Sequence, residues 1–212
     1  MKTYLKNTNA FNLLVLAINL AVLVNCSAND LVIGRFDSTN YGDWKLTGTA
    51  FKPGPAAGDQ LAKSGIENAP DNRVVSSEIE GDGPTGTLTS PEFKITRNYI
   101  SFLISGGDYE HDTCVNLLIN GKNVKSAVGW RSDRLVPTSW DVSQFRGQKA
   151  QVEIVDEASR DWGHINVDRI VQTDKPERLP VVTGPLYQEL LRPQFHFTAR
   201  QWTMDRLNPG PK

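Results

Sequence analysis

Three short stretches concentrate side chains that can grip a polyhydroxylated ligand: "GGDYEHDT" (106–113), "GWRSDR" (129–134) and "DEASRDWGH" (156–164). Each sets an aromatic or imidazole ring within a few residues of carboxylates or a guanidinium. A ring offers an apolar face to the C–H side of a sugar, and charged groups make the stronger hydrogen bonds with hydroxyls. On that chemistry Asp108 and Asp156 are expected as acceptors and Tyr109 or Trp162 as the stacking surface. Arg131 is expected as the donor to paired hydroxyls, through its rigid fork of N–H groups.

Other aromatic and charged positions have plainer readings. Trp140 in "SWDVS" and Trp44 in "DWKLTG" read as core residues, and Glu92 in "TSPEFKI" as a solvated charge on a strand face. His164 and Asp168 flank alternating apolar positions and read as structural hydrogen-bonding groups. Trp130 and Trp162 stay open between plugging an end of the fold and facing a ligand. Lys+Arg 23 against Asp+Glu 24 leaves a net charge of -1, so no basic excess exists to hold a nucleic-acid backbone. Cys26 and Cys114 form no zinc-type spacing, and Cys114, within the apolar run "TCVNLLIN", reads as a buried free thiol.

The elements that must carry these loops are strands. "VEIVD" and "HINVDRI" alternate apolar and polar residues with period two, and "YISFLIS" and "CVNLLIN" are dense enough to be covered on both faces. Asn120-Gly121, between "VNLLI" and "KNVKSAV", is a strong hairpin signal. About ten short strands with frequent turns and no useful amphipathic helix predict an all-β protein, a jelly-roll-type β-sandwich over residues 30–172. Strand alternation lets the three loops open at one end or edge of it.

Outside that span the texture changes. Residues 1–28 follow the order of a secretory signal: Lys2 and Lys6, an apolar run from Phe11 to Val24, then small residues. The run is shorter than the roughly 20 residues a spanning helix needs. The expected location is therefore secreted or at the cell surface, by cleavage after Ala28 or by lipid attachment at Cys26, since "LVNC" resembles a bacterial lipobox with Asn25 as its departure. From about Thr173 to the end, residues 173–212, four prolines (Pro176, Pro180, Pro185, Pro193) give linker chemistry. Asp37 and Asp168, near the first and last strands, would meet if the termini converge and could hold a structural Ca²⁺, an ion that takes six to eight oxygens; no other cofactor is expected.

Two regions carry a resemblance. "GTLTSPEFKITRNYISFLISGG", "TCVNLLINGKNVKSAVG" and "SWDVSQFRGQKAQVEIVDEASRDWGHINVDRI" resemble the fructan-binding modules of levanases, carbohydrate-binding module family 66, across nearly all of 31–171. "LYQELLRPQFHFTARQW" resembles the start of the glycoside hydrolase family 32 propeller. The resemblance implies a secreted module that binds β-fructan (levan or inulin termini), with a glycosidase domain following in the same chain. An alternative is a domain that packs on the propeller and stabilises it without binding sugar.

Catalysis by this chain is not expected. In that hydrolase family the nucleophilic Asp sits in a Trp-Met-Asn-Asp-Pro-Asn-Gly element, whereas "WTMDRLNPG" places Arg206 and Leu207 between Asp205 and Asn208-Pro209-Gly210. Retaining hydrolysis also needs a second carboxylic acid about 5–5.5 Å from the nucleophile, and only seven residues follow Asp205.

Overall fold

A computed structural model describes residues 30–176. The signal segment 1–28 with Cys26, and the stretch from 177 onward with Asp205, lie outside the described residues. Among the described residues there are twelve strands: β1 (Leu31–Gly34), β2 (Lys45–Gly48), β3 (Ala56–Ala57), β4 (Arg73–Ser76), β5 (Gly86–Thr89), β6 (Phe93–Lys94), β7 (Tyr99–Gly106), β8 (Thr113–Ile119), β9 (Lys122–Ala127), β10 (Ser132–Asp141), β11 (Lys149–Asp156) and β12 (Ile165–Thr173). One short helix, α1 (Asp59–Lys63), interrupts them. The strands form two antiparallel sheets, one ordered β10-β7-β12-β4-β3 with β1 on β12, the other β2-β5-β11-β8-β9 with β6 on β11. The protein is an all-β sandwich of jelly-roll type, as its strand pattern predicts.

The dense run in β7 has a direct cause. Ile100, Phe102 and Ile104 point into the main core between the sheets, with Val115, Leu117, Val152 and Ile154 from the opposite layer. Leu103, on the other face of β7, is buried in a second cluster with Leu61, Ile66, Val74 and Leu135. Both faces are therefore dry, and the polar–apolar alternation of a one-sided strand disappears. Each fully buried side chain of this size stabilises the fold by about 1.5–3 kcal/mol. Trp140 is a core residue, its ring edge-on to Phe102 at 4.7 Å. Trp44 is half-buried, packed edge-on against Phe36 at 5.1 Å.

Local signals behave as their chemistry requires. Asn120 and Gly121 take φ of 51° and 72°, the doubly positive pair of a tight hairpin turn, between β8 and β9. Cys114 is a buried free thiol, and burial pushes its pKa up to about 11. Glu92 is an exposed, solvated charge that pairs with Lys149, but it sits just before β6 rather than on a strand face. β12 departs from simple alternation: its pairing with β7 shifts register between Asp168 and Val171, where Arg169 has φ 51°. This bulge turns Ile170 into the core after Ile165 and Val167.

Candidate functional site

Gly106, the last residue of β7, lies opposite both Ser132 of β10 and Ile165 of β12. The loops β7–β8, β9–β10 and β11–β12 therefore emerge side by side, and these are the three stretches singled out by residue type. Two glycines allow them to close on one another. A Cβ on Gly107 would collide with the carbonyl of Trp162, and one on Gly129 with the backbone of Ser105 and Gly106. The Gly129 N–H donates to the Gly107 carbonyl at 2.6 Å, and the Glu157 N–H to the Asp112 carbonyl at 2.6 Å.

Four of the five expected contact residues come together here. Arg131 reaches Asp108 at 3.7 Å and Asp161 at 3.3 Å, and its guanidinium lies 5.8 Å from the Trp162 ring centre. The Tyr109 hydroxyl donates to the Asp161 carbonyl at 2.9 Å. Arg160 covers the Tyr109 ring at 3.8 Å and pairs with Asp112 at 2.7 Å. The result is a surface patch of alternating acids and guanidiniums laid against two rings. With Arg131 42% exposed and the Asp161 side chain 87% exposed, such ion pairs are worth at most about 1 kcal/mol each. Their donors and acceptors can thus be given up to other hydrogen-bonding groups at small cost.

The patch is built on constrained backbone. Trp130, Arg131 and Trp162 all have positive φ, at 67°, 52° and 61°. That region disfavours large side chains, and each such residue costs on the order of 1 kcal/mol or more. Cross-loop hydrogen bonds and close glycine contacts hold them there, which fixes the direction of each side chain before any ligand arrives.

Asp156 requires a correction. It is the last residue of β11, paired with both Thr113 and Gly86, and its side chain is fully buried rather than displayed in the loop. Oδ1 accepts the Ala158 N–H at 3.3 Å, and burial raises its pKa to about 7. Asp156 closes the "VEIVD" strand rather than opening the loop that follows it. Asp161, with Arg160 and Asp112, stands at the surface instead. All three lay in the quoted loops, but nothing in the sequence ranked them above their neighbours.

Behind Trp162 sits a second cluster. The Trp162 ring tilts 30° against that of His164, with centroids 5.5 Å apart. His164 Nδ1 lies 2.8 Å from Asp82 Oδ1, and Nε2 lies 3.0 Å from Asp133 Oδ1 and 3.8 Å from Glu78 Oε2. Burial lowers the imidazole pKa, but hydrogen bonds to Asp133 and Asp82 and the charge of Glu78 outweigh it and lift it to about 9. His164 is thus a structural hydrogen-bonding group, as expected. Its partners Glu78 and Asp82 come from the β4–β5 loop "SEIEGDG", whose only sequence signal was a local density of acids.

The Ca²⁺ expectation gains no support from these residues. Asp168 is fully buried, Oδ1 accepts the Arg169 N–H at 2.7 Å, and burial raises its pKa to about 7. Asp71, Arg169 and Arg35 are the charges that act on it most strongly, while Asp37 is exposed.

No protein-family model matches the chain. A protein of Aspergillus rugulosus bearing the provisional name glycosyl hydrolase ecdE is 39% identical over 127 residues. The match takes in 60% of this chain and spans only 18% of that protein. Among solved structures, the carbohydrate-binding module TmCBM61, in complex with β-1,4-galactotriose, aligns with TM-score 0.46 and 10% identity, over 68% of this chain and 95% of that one. The CBM27-1 module of Caldicellulosiruptor saccharolyticus, in complex with mannohexaose, aligns with TM-score 0.42 and 12% identity, over 71% and 100%. The K3 adhesin domain of Lys-gingipain from Porphyromonas gingivalis aligns with TM-score 0.44 and 15% identity, over 68% and 99%. The likeness to these structures concerns the arrangement of the sheets and goes no further.

Proposed function

We propose that residues 30–172 form a secreted carbohydrate-binding module for β-fructans, serving a glycoside hydrolase of the levanase type. The observation that carries this reading is the convergence of Asp108, Tyr109, Arg131 and Trp162 from three separate loops at one end of the sandwich. The patch offers what a sugar terminus needs: rings for its C–H face, a forked donor for adjacent hydroxyls, and flanking carboxylates as acceptors. The stretch of identity with a protein named as a glycosyl hydrolase supports the pairing with a catalytic partner. Affinity electrophoresis of the purified chain in gels containing levan, inulin, galactan or mannan tests it. Retardation by levan or inulin alone is the expected result. Retardation only by galactan or mannan would keep a sugar-binding module and discard the fructan, and none in any gel would discard the reading.

A second reading, packing against a catalytic domain, has one observation of its own. Leu31 and Val32 are 43% and 53% exposed on β1, paired with the final strand at Gln172 and Val171. If this is their role, Leu31→Ser together with Val32→Ser should leave the melting of residues 30–176 unchanged and lower that of the module joined to its hydrolase.

A further inference from the structure

The cluster around His164 has the makings of a metal site distinct from the sugar-facing patch. His164 Nε2, Asp133 Oδ1 and Glu78 Oε2 each offer one ligand atom, and the three lie within 4.8 Å of one another. Nε2 is 3.0 Å from the Asp133 oxygen and 3.8 Å from the Glu78 oxygen. A tetrahedral ion with bonds of 2.0–2.1 Å holds its ligands about 3.3 Å apart, between those two separations. The third separation, between the two carboxylate oxygens, lies within 4.8 Å, so closing the three atoms around an ion requires only side-chain movement.

Two independent features point to a ligand. Glu78 Oε2 is a buried atom with no hydrogen-bond partner among the described residues, although it faces His164. An orphaned buried carboxylate oxygen is costly unless something satisfies it. The charge balance is also uneven. Among the described residues, the ion pairs of Glu78, Asp82 and Asp133 all run to His164, so one imidazolium serves three carboxylates. A divalent ion in place of the Nε2 proton would add one net positive charge where the excess is negative.

We propose that Glu78, Asp133 and His164 bind a divalent transition-metal ion of the zinc class, with Asp82 as the outer carboxylate that orients the imidazole. The imidazole nitrogen argues against Ca²⁺, a hard cation that takes oxygen ligands, and for an ion comfortable with mixed N and O donors. Asp82 on Nδ1 forms the carboxylate–histidine–metal arrangement that fixes the tautomer and directs the Nε2 lone pair at the ion. Binding replaces the Nε2 proton, which passes to solvent. The ion would tie the β4–β5 loop and the start of β10 to the end of the β11–β12 loop, directly beneath Trp162. Its role is structural, and it stands or falls apart from the choice of sugar.

The test uses the full chain, stripped with chelator and titrated with Co²⁺ as a visible probe and with Zn²⁺. One equivalent of Co²⁺ should give d–d absorption bands that Zn²⁺ abolishes and excess Ca²⁺ does not, and Zn²⁺ should raise the melting temperature. Asp82→Asn should weaken Zn²⁺ binding about 10–100-fold. Glu78→Gln and Asp133→Asn should remove the bands, while His111→Ala, at an exposed position, should keep them. Absence of bands in the folded wild type, or bands that persist in both carboxylate variants, overturns the site. Where a variant fails to melt cooperatively, the wild-type ¹⁵N imidazole signals decide. A Zn²⁺-induced shift confined to His164 supports the assignment, and one at another histidine refutes it.

Discussion

The guanidinium of Arg131 stands 5.8 Å from the centre of the Trp162 ring while reaching the Asp161 carboxylate at 3.3 Å. The two residues come from different loops, and both occupy positive φ. Their contact shows how the patch is made. Constrained backbone fixes the direction of each side chain, and weak exposed ion pairs hold the polar groups in place.

Arg131→Ala should therefore reduce affinity for a fructo-oligosaccharide by about 1.5–3 kcal/mol, the range for charge-assisted hydrogen bonds. Its side chain is 42% exposed, so the melting temperature should barely move. Arg131→Lys should bind at an intermediate level, since an ammonium keeps the charge but loses the fork. Calorimetric titration of all three proteins checks this, and unchanged affinity in the Ala variant removes Arg131 from the site.

Trp140→Ala should act in the opposite way. The ring is buried against Phe102, and truncation of a core aromatic costs about 3–5 kcal/mol. Urea denaturation should show that loss, with sugar affinity retained wherever the variant remains folded.

Gly129→Ala tests whether the close approach of the loops is needed. The added methyl would meet the backbone of Ser105 and Gly106, which cannot yield as a flexible side chain can. A loss of about 1–3 kcal/mol in stability is expected from overpacking, together with weaker sugar binding as the β9–β10 loop is pushed from Gly107. Binding undisturbed at full occupancy of the folded state would show that the loop geometry is not critical.

Asp168 gives a pH dependence with a definite sign. Burial raises its pKa to about 7, above the ordinary 3.8. The folded form then holds a proton that the unfolded chain releases. Its contribution is fully favourable below about pH 4 and is lost as pH climbs towards 7, with a slope of at most about 1.4 kcal/mol per pH unit. Asp168→Asn lacks that slope. The melting temperature of the Asn variant relative to wild type should rise between pH 4 and 7 and then level off. A difference flat with pH would mean that Asp168 is ionised in the fold.

Much of the fold was written locally. Asn120-Gly121 specifies its turn because few residues tolerate two positive φ values in succession. Phe102 and Ile104 mark a buried strand by type alone, and the turn residues and charges around Asp108, Tyr109, Arg131 and Trp162 mark their segments as loops. Other features depended on partners distant in the chain. Asp156, the last residue of the "VEIVD" strand, is buried where Thr113 and Gly86 flank it on both sides, a matter of strand pairing that no local pattern encodes. Asp161 took the exposed place instead. The cluster of Glu78, Asp82, Asp133 and His164 exists only because two loops and the start of β10 reach the same end of the sandwich. Residue type and spacing determine which groups are available and which segments become strands. Only the packing of the sheets decides which of those groups meet, because burial and charge pairing act through space.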